Sequence, residues 1–339
     1  MLITRLLTPL LATGILLSAP LSALAIAVYS SSGPNAASIQ GSVNGFRSDL
    51  GTNNGVGGSF ASGRREINWD GVPAGFSDPN NLPGNFFNSN SARGAVFETP
   101  GSAFKVSANS GSATPVRFGS INPSFPNSFS VFSSQKLFTA IDSNIVDVRF
   151  FVPGTNQPGA VRGFGSVFTD VDLAGPTTIE FFDFHNNSLG KQTVLNTPGV
   201  TSLSFLGVSL EQAIINRVRI TAGNAALSAL DGFDFVAMDD FIYGEPSFSS
   251  EAAWLSWCGR GGSLSFLINQ GLAPFQWQGG VGLKLTPPCA FYASFPKPID
   301  LLLRHLVSCF RPRYLSALFW IAVDTLTTQT TAADPRLVG

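Results

Sequence analysis

Cysteine is missing from the first 246 residues; all three, Cys258, Cys289 and Cys309, come later. That long stretch can therefore use no disulfide, no thiol nucleophile and no thiolate metal ligand. Histidine is nearly as scarce, with His185 the only one before His305. A zinc site built on several imidazoles is excluded there, and a Ser-His-Asp triad has one candidate base. Charge is sparse as well, at 12% of residues with a net of −1. Residues 26–246 hold 12 basic and 17 acidic side chains and no basic cluster larger than Arg64-Arg65. Mild acidity of this kind excludes nucleic acid as the expected partner. The glycine-rich stretch 51–63 lacks a Gly-Lys-Ser/Thr and opens no helix, so it is not a phosphate loop.

What is present begins with a leader-like segment. Arg5 is the single charge of the first 25 residues, residues 6–21 are almost wholly apolar or small, and Ala23-Leu24-Ala25 suits a cleavage site. A membrane anchor over residues 6–28 competes on length, at about 20 residues per span. Pro9, Pro20 and the abrupt turn to Ser/Gly/Asn-rich sequence after Tyr29 favour cleavage. The expectation is an exported chain, extracellular, on the cell surface or periplasmic, with no transmembrane span once mature.

Residues 26–246 are long enough for one large core. A helix is expected over 30–51, from Pro34, the spacing of Ile39, Val43, Phe46 and Leu50, and the stop at Gly51; its narrow stripe suits packing at the edge or end of a sheet. Beyond it lie about ten short β-prone runs separated by Gly/Pro/Asn turns, which fit an antiparallel β-sandwich or jelly roll. Residues 64–70 alternate, 93–98 and 103–108 read as a hairpin, and 116–118 and 129–132 as short strands. Residues 137–140, 145–152, 161–171, 177–184, 191–195, 201–208 and 214–221 follow, and 233–243 ends the series. Thirty phenylalanines supply the core.

Past Pro246 the composition changes at once. Residues 247–339 carry four of the five tryptophans and all three cysteines, at spacings that match no zinc or redox motif. The apolar run 314–323 is too short to span a bilayer. A second small domain, a degenerate anchor and out-of-frame sequence compete; the single sharp break favours the last, with the tail then disordered or non-native.

Several stretches resemble secreted bacterial β-sandwich proteins of the PEP-CTERM-associated type. They are Gly63-Arg64-Arg65-Glu66-Ile67-Asn68-Trp69-Asp70-Gly71-Val72-Pro73, Ser91-Ala92-Arg93-Gly94-Ala95-Val96-Phe97, residues 163–172, and Met238-Asp239-Asp240-Phe241-Ile242-Tyr243-Gly244-Glu245-Pro246. The resemblance covers 34–246 and implies an exported sandwich with no assigned activity. Such proteins continue after Glu-Pro with an apolar span and a basic cluster, which this chain lacks. The Asp-Asp-Phe-Ile run also resembles the last strand of galactose-binding-like and carbohydrate-binding jelly rolls, which implies a structural calcium held by an aspartate there and an early-strand glutamate.

The candidate calcium ligands are Asp239, Asp240, Glu66 and Asp70, since calcium takes six to eight oxygens. Asp239 and Asp240 are adjacent, so strand alternation points them to opposite faces; Glu66 and Asp70 share a face. Asp170 and Asp172 form a second carboxylate pair, which also suits turn capping. Trp69, Phe86 and Phe87 lie on or beside expected loops and are candidate rings for stacking on sugar. The expected function is non-enzymatic: binding, of polysaccharide or other envelope components, or a structural role. A secreted glycan hydrolase is the alternative, using two of Glu66, Glu98, Glu180 and Asp183 across a cleft.

Overall fold

The computed structural model describes residues 25–199, 201–228, 230, 232–248, 283–286 and 290–293. The leader, apart from Ala25, and most of the tail lie outside the described residues. The chain divides into two compact units, Met1–Ala252 and Ala253–Gly339. In the second, the described residues are an antiparallel strand pair, Leu283–Thr286 with Ala290–Ala293.

The first unit is an all-β sandwich. Its strands are β1 Ile26–Gly33, β2 Arg64–Ile67, β3 Ala95–Glu98, β4 Ala103–Val106, β5 Phe138–Ile141 and β6 Ile145–Phe150, then β7 Gly163–Thr169, β8 Thr178–Phe182, β9 Ser188–Thr193, β10 Leu203–Leu210, β11 Arg217–Thr221 and β12 Ala237–Gly244. One sheet runs β1-β10-β7-β12-β5-β4, with β2 also paired to β12; the other runs β3-β6-β11-β8-β9. Every pairing is antiparallel.

Alternation sorts each strand between core and outer face. On β12, Phe241 and Tyr243 enter the core between the sheets while Ile242 faces out. Aromatic rings fill that core: Trp69 stacks on Phe138 at 4.1 Å and meets Phe241 edge-on at 5.0 Å. Each fully buried phenylalanine contributes about 1.5–3 kcal/mol, which explains how a chain with so few charges is held together.

The helix, α1 Ala36–Leu50, starts with Asn35 accepting from the Ser38 amide and stops at Gly51, whose φ is 97°. It begins later than the sequence suggests, because residues 26–33 pair with β10 along their whole length. Nor does it sit at an edge or end. It lies on the outer face of the seven-stranded sheet, with Ile39, Val43, Phe46 and Leu50 against Val167, Leu203, Phe205 and Ile242. Glycine makes this approach possible: a Cβ on Gly165 or Gly207 would stand 2.9 Å or 3.0 Å from the Phe46 ring.

The expected hairpin of 93–98 and 103–108 does not form. β3 pairs with β6 in one sheet and β4 with β5 in the other, so the chain crosses between layers at Pro100. The expected strands 116–118 and 129–132 are loop, with an isolated bridge at Val116 and a short helix, Phe125–Ser128, between them. Their rings, Phe118 and Phe129, instead build a separate cluster with Phe125, Leu137 and Phe235. No helix among the described residues is long and apolar enough to cross a membrane.

Candidate functional site

β12 carries a bulge at its two aspartates. Met238 pairs with Phe168 and Phe241 with Ser166, so Asp239 and Asp240 together oppose the one residue between, Val167. The extra residue suspends alternation. Met238 and Phe241 both enter the core, and both carboxylates turn towards the face that carries α1, not to opposite faces. The freed backbone carbonyl of Asp239 accepts the indole N–H of Trp69 at 2.8 Å.

Asp239 and Asp240 are 0% and 2% exposed. The amide of Phe132 donates to Asp239 Oδ2 at 2.6 Å, and the Ser133 hydroxyl lies 3.1 Å from Asp239 Oδ1 and 2.6 Å from Asp240 Oδ1. Arg47, in the last turn of α1, donates to Asp240 Oδ2 at 3.1 Å and to Glu66 Oε2 at 2.7 Å. Arg64 completes the chain, donating to Glu66 Oε1 at 2.6 Å and to the Gly51 carbonyl. Burial, and then the neighbouring charge of Asp240, push Asp239 well above the usual carboxylate range. Burial raises Asp240 too, against bonds from Ser133 and Asp239 and the charge of Arg47. The consistent assignment is one proton held on Asp239 and donated to an ionised Asp240 that faces Arg47.

Three of the four candidate calcium ligands thus come together, Glu66 because β2 pairs with β12 at Ile242. Asp70 does not join them. The strand ends at Ile67, Trp69 takes a φ of 66°, and the Asp70 carboxylate accepts the Lys136 amide at 3.1 Å. The donor set does not fit calcium: Arg47 already stands between Glu66 and Asp240, and the remaining oxygens are bonded to Ser133 and Phe132. Among the described residues no group of three or more Asp, Glu, His or Cys is arranged to hold a metal ion.

Trp69, Phe86 and Phe87 are core residues, each at most 5% exposed, and offer no face to a sugar. Composition placed them near loops; Trp69 packs on Phe97 and Phe138, Phe87 on Phe97, and Phe86 on Phe87 and Phe76, which places them inside. The hydrolase carboxylates do not converge either. Glu98 and Glu180 sit on the outer face of the five-stranded sheet, three strands apart. That is about 14 Å at the ordinary strand spacing, beyond the roughly 5–9.5 Å that glycoside hydrolysis uses. Asp183 accepts the His185 and Asn187 amides within a turn, and Glu66 is held by two arginines on the other sheet.

An open cleft of about 570 Å³ lies at the C-terminal end of α1, bounded by loop 51–63. Its polar lining is Asp49, Thr52, Asn54, Ser62 and Arg162, and the Phe60 ring, 47% exposed, stands at its wall. Burial alone would raise Asp49, but the Ser209 hydroxyl and the Arg162 guanidinium outweigh it and hold the carboxyl below its ordinary range.

The loop is held in place by Arg65. Its guanidinium meets Glu245 bidentately at 2.6 and 2.7 Å, and donates to the carbonyls of Gly55, Gly57 and Gly58. Those three glycines have φ of 67°, 74° and 65°, the left-handed turn that brings their carbonyls round one side chain. Glu245 in turn accepts the Phe60 amide and the Asn54 side chain. Sequence reading missed this site. Arg64-Arg65 was visible only as a small basic pair, and the partner of Arg65 is 180 residues away.

A scan against protein-family models finds no match, and a search of curated proteins finds none either.

Proposed function

We propose that this chain is an exported, non-enzymatic β-sandwich protein that binds polysaccharide at the cell envelope or outside the cell through the cleft beside loop 51–63. The observation that carries the reading is the lining of that cleft. Polyhydroxylated ligands are held by planar polar groups that accept and donate in pairs, together with an aromatic face. Asp49, Asn54 and Arg162 are the polar groups and Phe60 the face. Its volume lies within the range of small-ligand pockets, about 300–1,000 Å³. Arg65 and Glu245 fix the loop before any ligand arrives, which lowers the ordering cost of binding. A purely structural surface role is the outcome if the cleft binds nothing.

The test is a glycan array on the full chain alongside Phe60→Ala, with a general glycosidase screen run in parallel. Binding that Phe60→Ala abolishes, without turnover, supports the proposal. Glycan turnover, or binding indifferent to Phe60, overturns it.

A further inference from the structure

Two open sheets leave edge strands, whose outward N–H and C=O groups invite pairing with another chain. Most edges here are covered by the chain itself. The outer side of β4 accepts the Asp78 and Leu82 amides at Val106 and Phe104, β3 donates from Phe97 to the Gly84 carbonyl, and β2 exchanges bonds with Thr52 and Asn54 at Arg64. β9 is blunted another way: its pairing with β8 shifts register between Phe181 and Phe182, Gly190 takes a φ of 137°, and Lys191 stands in its middle. β1 has none of these devices. It pairs with β10 in unbroken register from Ile26 to Gly33, and it carries no charge, proline or bulge.

The register shows which groups β1 offers. The Leu210 amide donates to the Arg162 carbonyl, so the even-numbered residues of β10 turn their backbone groups to β7 and the odd-numbered ones turn theirs to β1. Ala27, Tyr29, Ser31 and Gly33 are therefore the residues bonded to β10, and the N–H and C=O of Ile26, Val28, Ser30 and Ser32 point outward. None of those four amides has a backbone partner among the described residues, and of the four carbonyls only that of Ser30 accepts a side chain, the Ser42 hydroxyl at 3.3 Å. Ile26 and Val28 stand opposite Leu210 and Val208, each 3% exposed, yet are themselves 44% and 48% exposed. On the other face Tyr29 packs on Phe46, and α1 meets β1 through the small residues Ser38, Ser42 and Gly45.

We infer that β1 is a dimerisation edge, where two copies of this chain pair β1 to β1, antiparallel, about a two-fold axis beside Val28. Val28 then faces Val28, Ile26 faces Ser30, and the outward groups of each strand meet those of the other in hydrogen-bonded pairs. The occupant must offer a free, uncharged strand. Among the described edges of this sandwich β1 alone does so, and an antiparallel two-fold lets it serve both sides at once. The head-to-tail alternative, β1 on β9 of the next copy, leaves an edge open for further growth, and Lys191 and the irregular pairing of β9 stand against it. With no charge on β1, no like charges meet across the axis. The dimer does not depend on the reading of the polysaccharide cleft.

The test is sedimentation of the full chain over a wide micromolar range, with reductant to keep Cys258, Cys289 and Cys309 from linking copies. Val28→Lys is the variant, and Val56→Lys, at a valine that is 56% exposed in loop 51–63, is the control. Wild type should run as a dimer at the upper end of the range. Val28→Lys sets two ammonium groups against each other across the axis and should weaken association at least about tenfold, while Val56→Lys leaves it unchanged. Because Val28 is half exposed, the variant should melt close to wild type. Hydrogen exchange gives a reading that needs no variant: the amides of Ile26, Val28 and Ser30 should exchange more slowly as concentration rises. A monomer throughout the range, a dimer that Val28→Lys leaves as tight as before, an equal loss from Val56→Lys, or β1 amides indifferent to concentration overturns the proposal.

Discussion

The bulge on β12 and the end of β7 are neighbours on paired strands, and both bury carboxylates, yet they are solved differently. At the bulge, Asp239 and Asp240 share the Ser133 hydroxyl, the Phe132 amide donates to Asp239, and Arg47 brings the positive charge from α1 to Asp240. At the end of β7, among the described residues no arginine or lysine forms an ion pair with Asp170, Asp172 or Asp234; backbone amides serve instead, that of Asp172 donating to Asp234 and that of Gly199 to Asp172. The difference teaches that a carboxylate cluster is not evidence of an ion until its counter-charge has been sought. Where an arginine is in place, as at Asp240, the cluster is structural; at the end of β7 backbone amides take that part.

The largest effect expected is at the most buried ion pair, Arg65 with Glu245. Arg65→Met would leave Glu245 buried without its partner and should cost about 3–5 kcal/mol in urea unfolding. It should also release loop 51–63, so that any glycan binding falls with it. Arg47→Met should cost less, about 2–3 kcal/mol, because its side chain is 22% exposed and water replaces part of what is lost. In an Asp240→Asn background the same substitution should cost clearly less, since the charge it serves is gone; equal costs in both backgrounds would break the pairing. Phe60→Ala should be the mildest for stability, within about 0.5 kcal/mol as for most exposed positions, while removing the aromatic wall of the cleft.

Much of the fold was legible because it rests on local patterns. The apolar runs that became β6, β7, β8, β10 and β12 read directly as strands. The layer assignment was not legible. Residues 93–98 and 103–108 look like a hairpin, and only pairing with β6 and β5, far along the chain, shows that they belong to different sheets. β1 was hidden because Ser30–Ser32 carries no β signal of its own and Pro34 reads as the start of a helix; its strand character comes from β10.

The site was legible in part. Asp239, Asp240 and Glu66 were found, since their nearness needs only that β2 lie beside β12. Their role was not, because the bulge breaks the alternation from which facing is inferred, and because Arg47 is 193 residues from Asp240. Trp69, Phe86 and Phe87 misled for a related reason. A ring flanked by glycine, proline and asparagine is as compatible with a buried loop as with an exposed one, and its burial is decided by partners such as Phe97 and Phe138.

The measurement that bears most directly on this account is stability against pH for wild type, Asp239→Asn and Asp240→Asn. The folded pKa of Asp239 is raised above its ordinary value of 3.8, so the folded state keeps a proton that the unfolded chain releases. Its contribution is therefore fully present below that ordinary value and is lost as pH rises through the folded pKa. Asparagine at 239 mimics the protonated acid, accepting from Phe132 and donating to Asp240. The account predicts that Asp239→Asn flattens the decline and is at least as stable as wild type at high pH, while Asp240→Asn is destabilised by removing the more buried of the two carboxylates that Arg47 pairs with. Parallel pH curves for wild type and Asp239→Asn, or equal losses from the two substitutions, would contradict it.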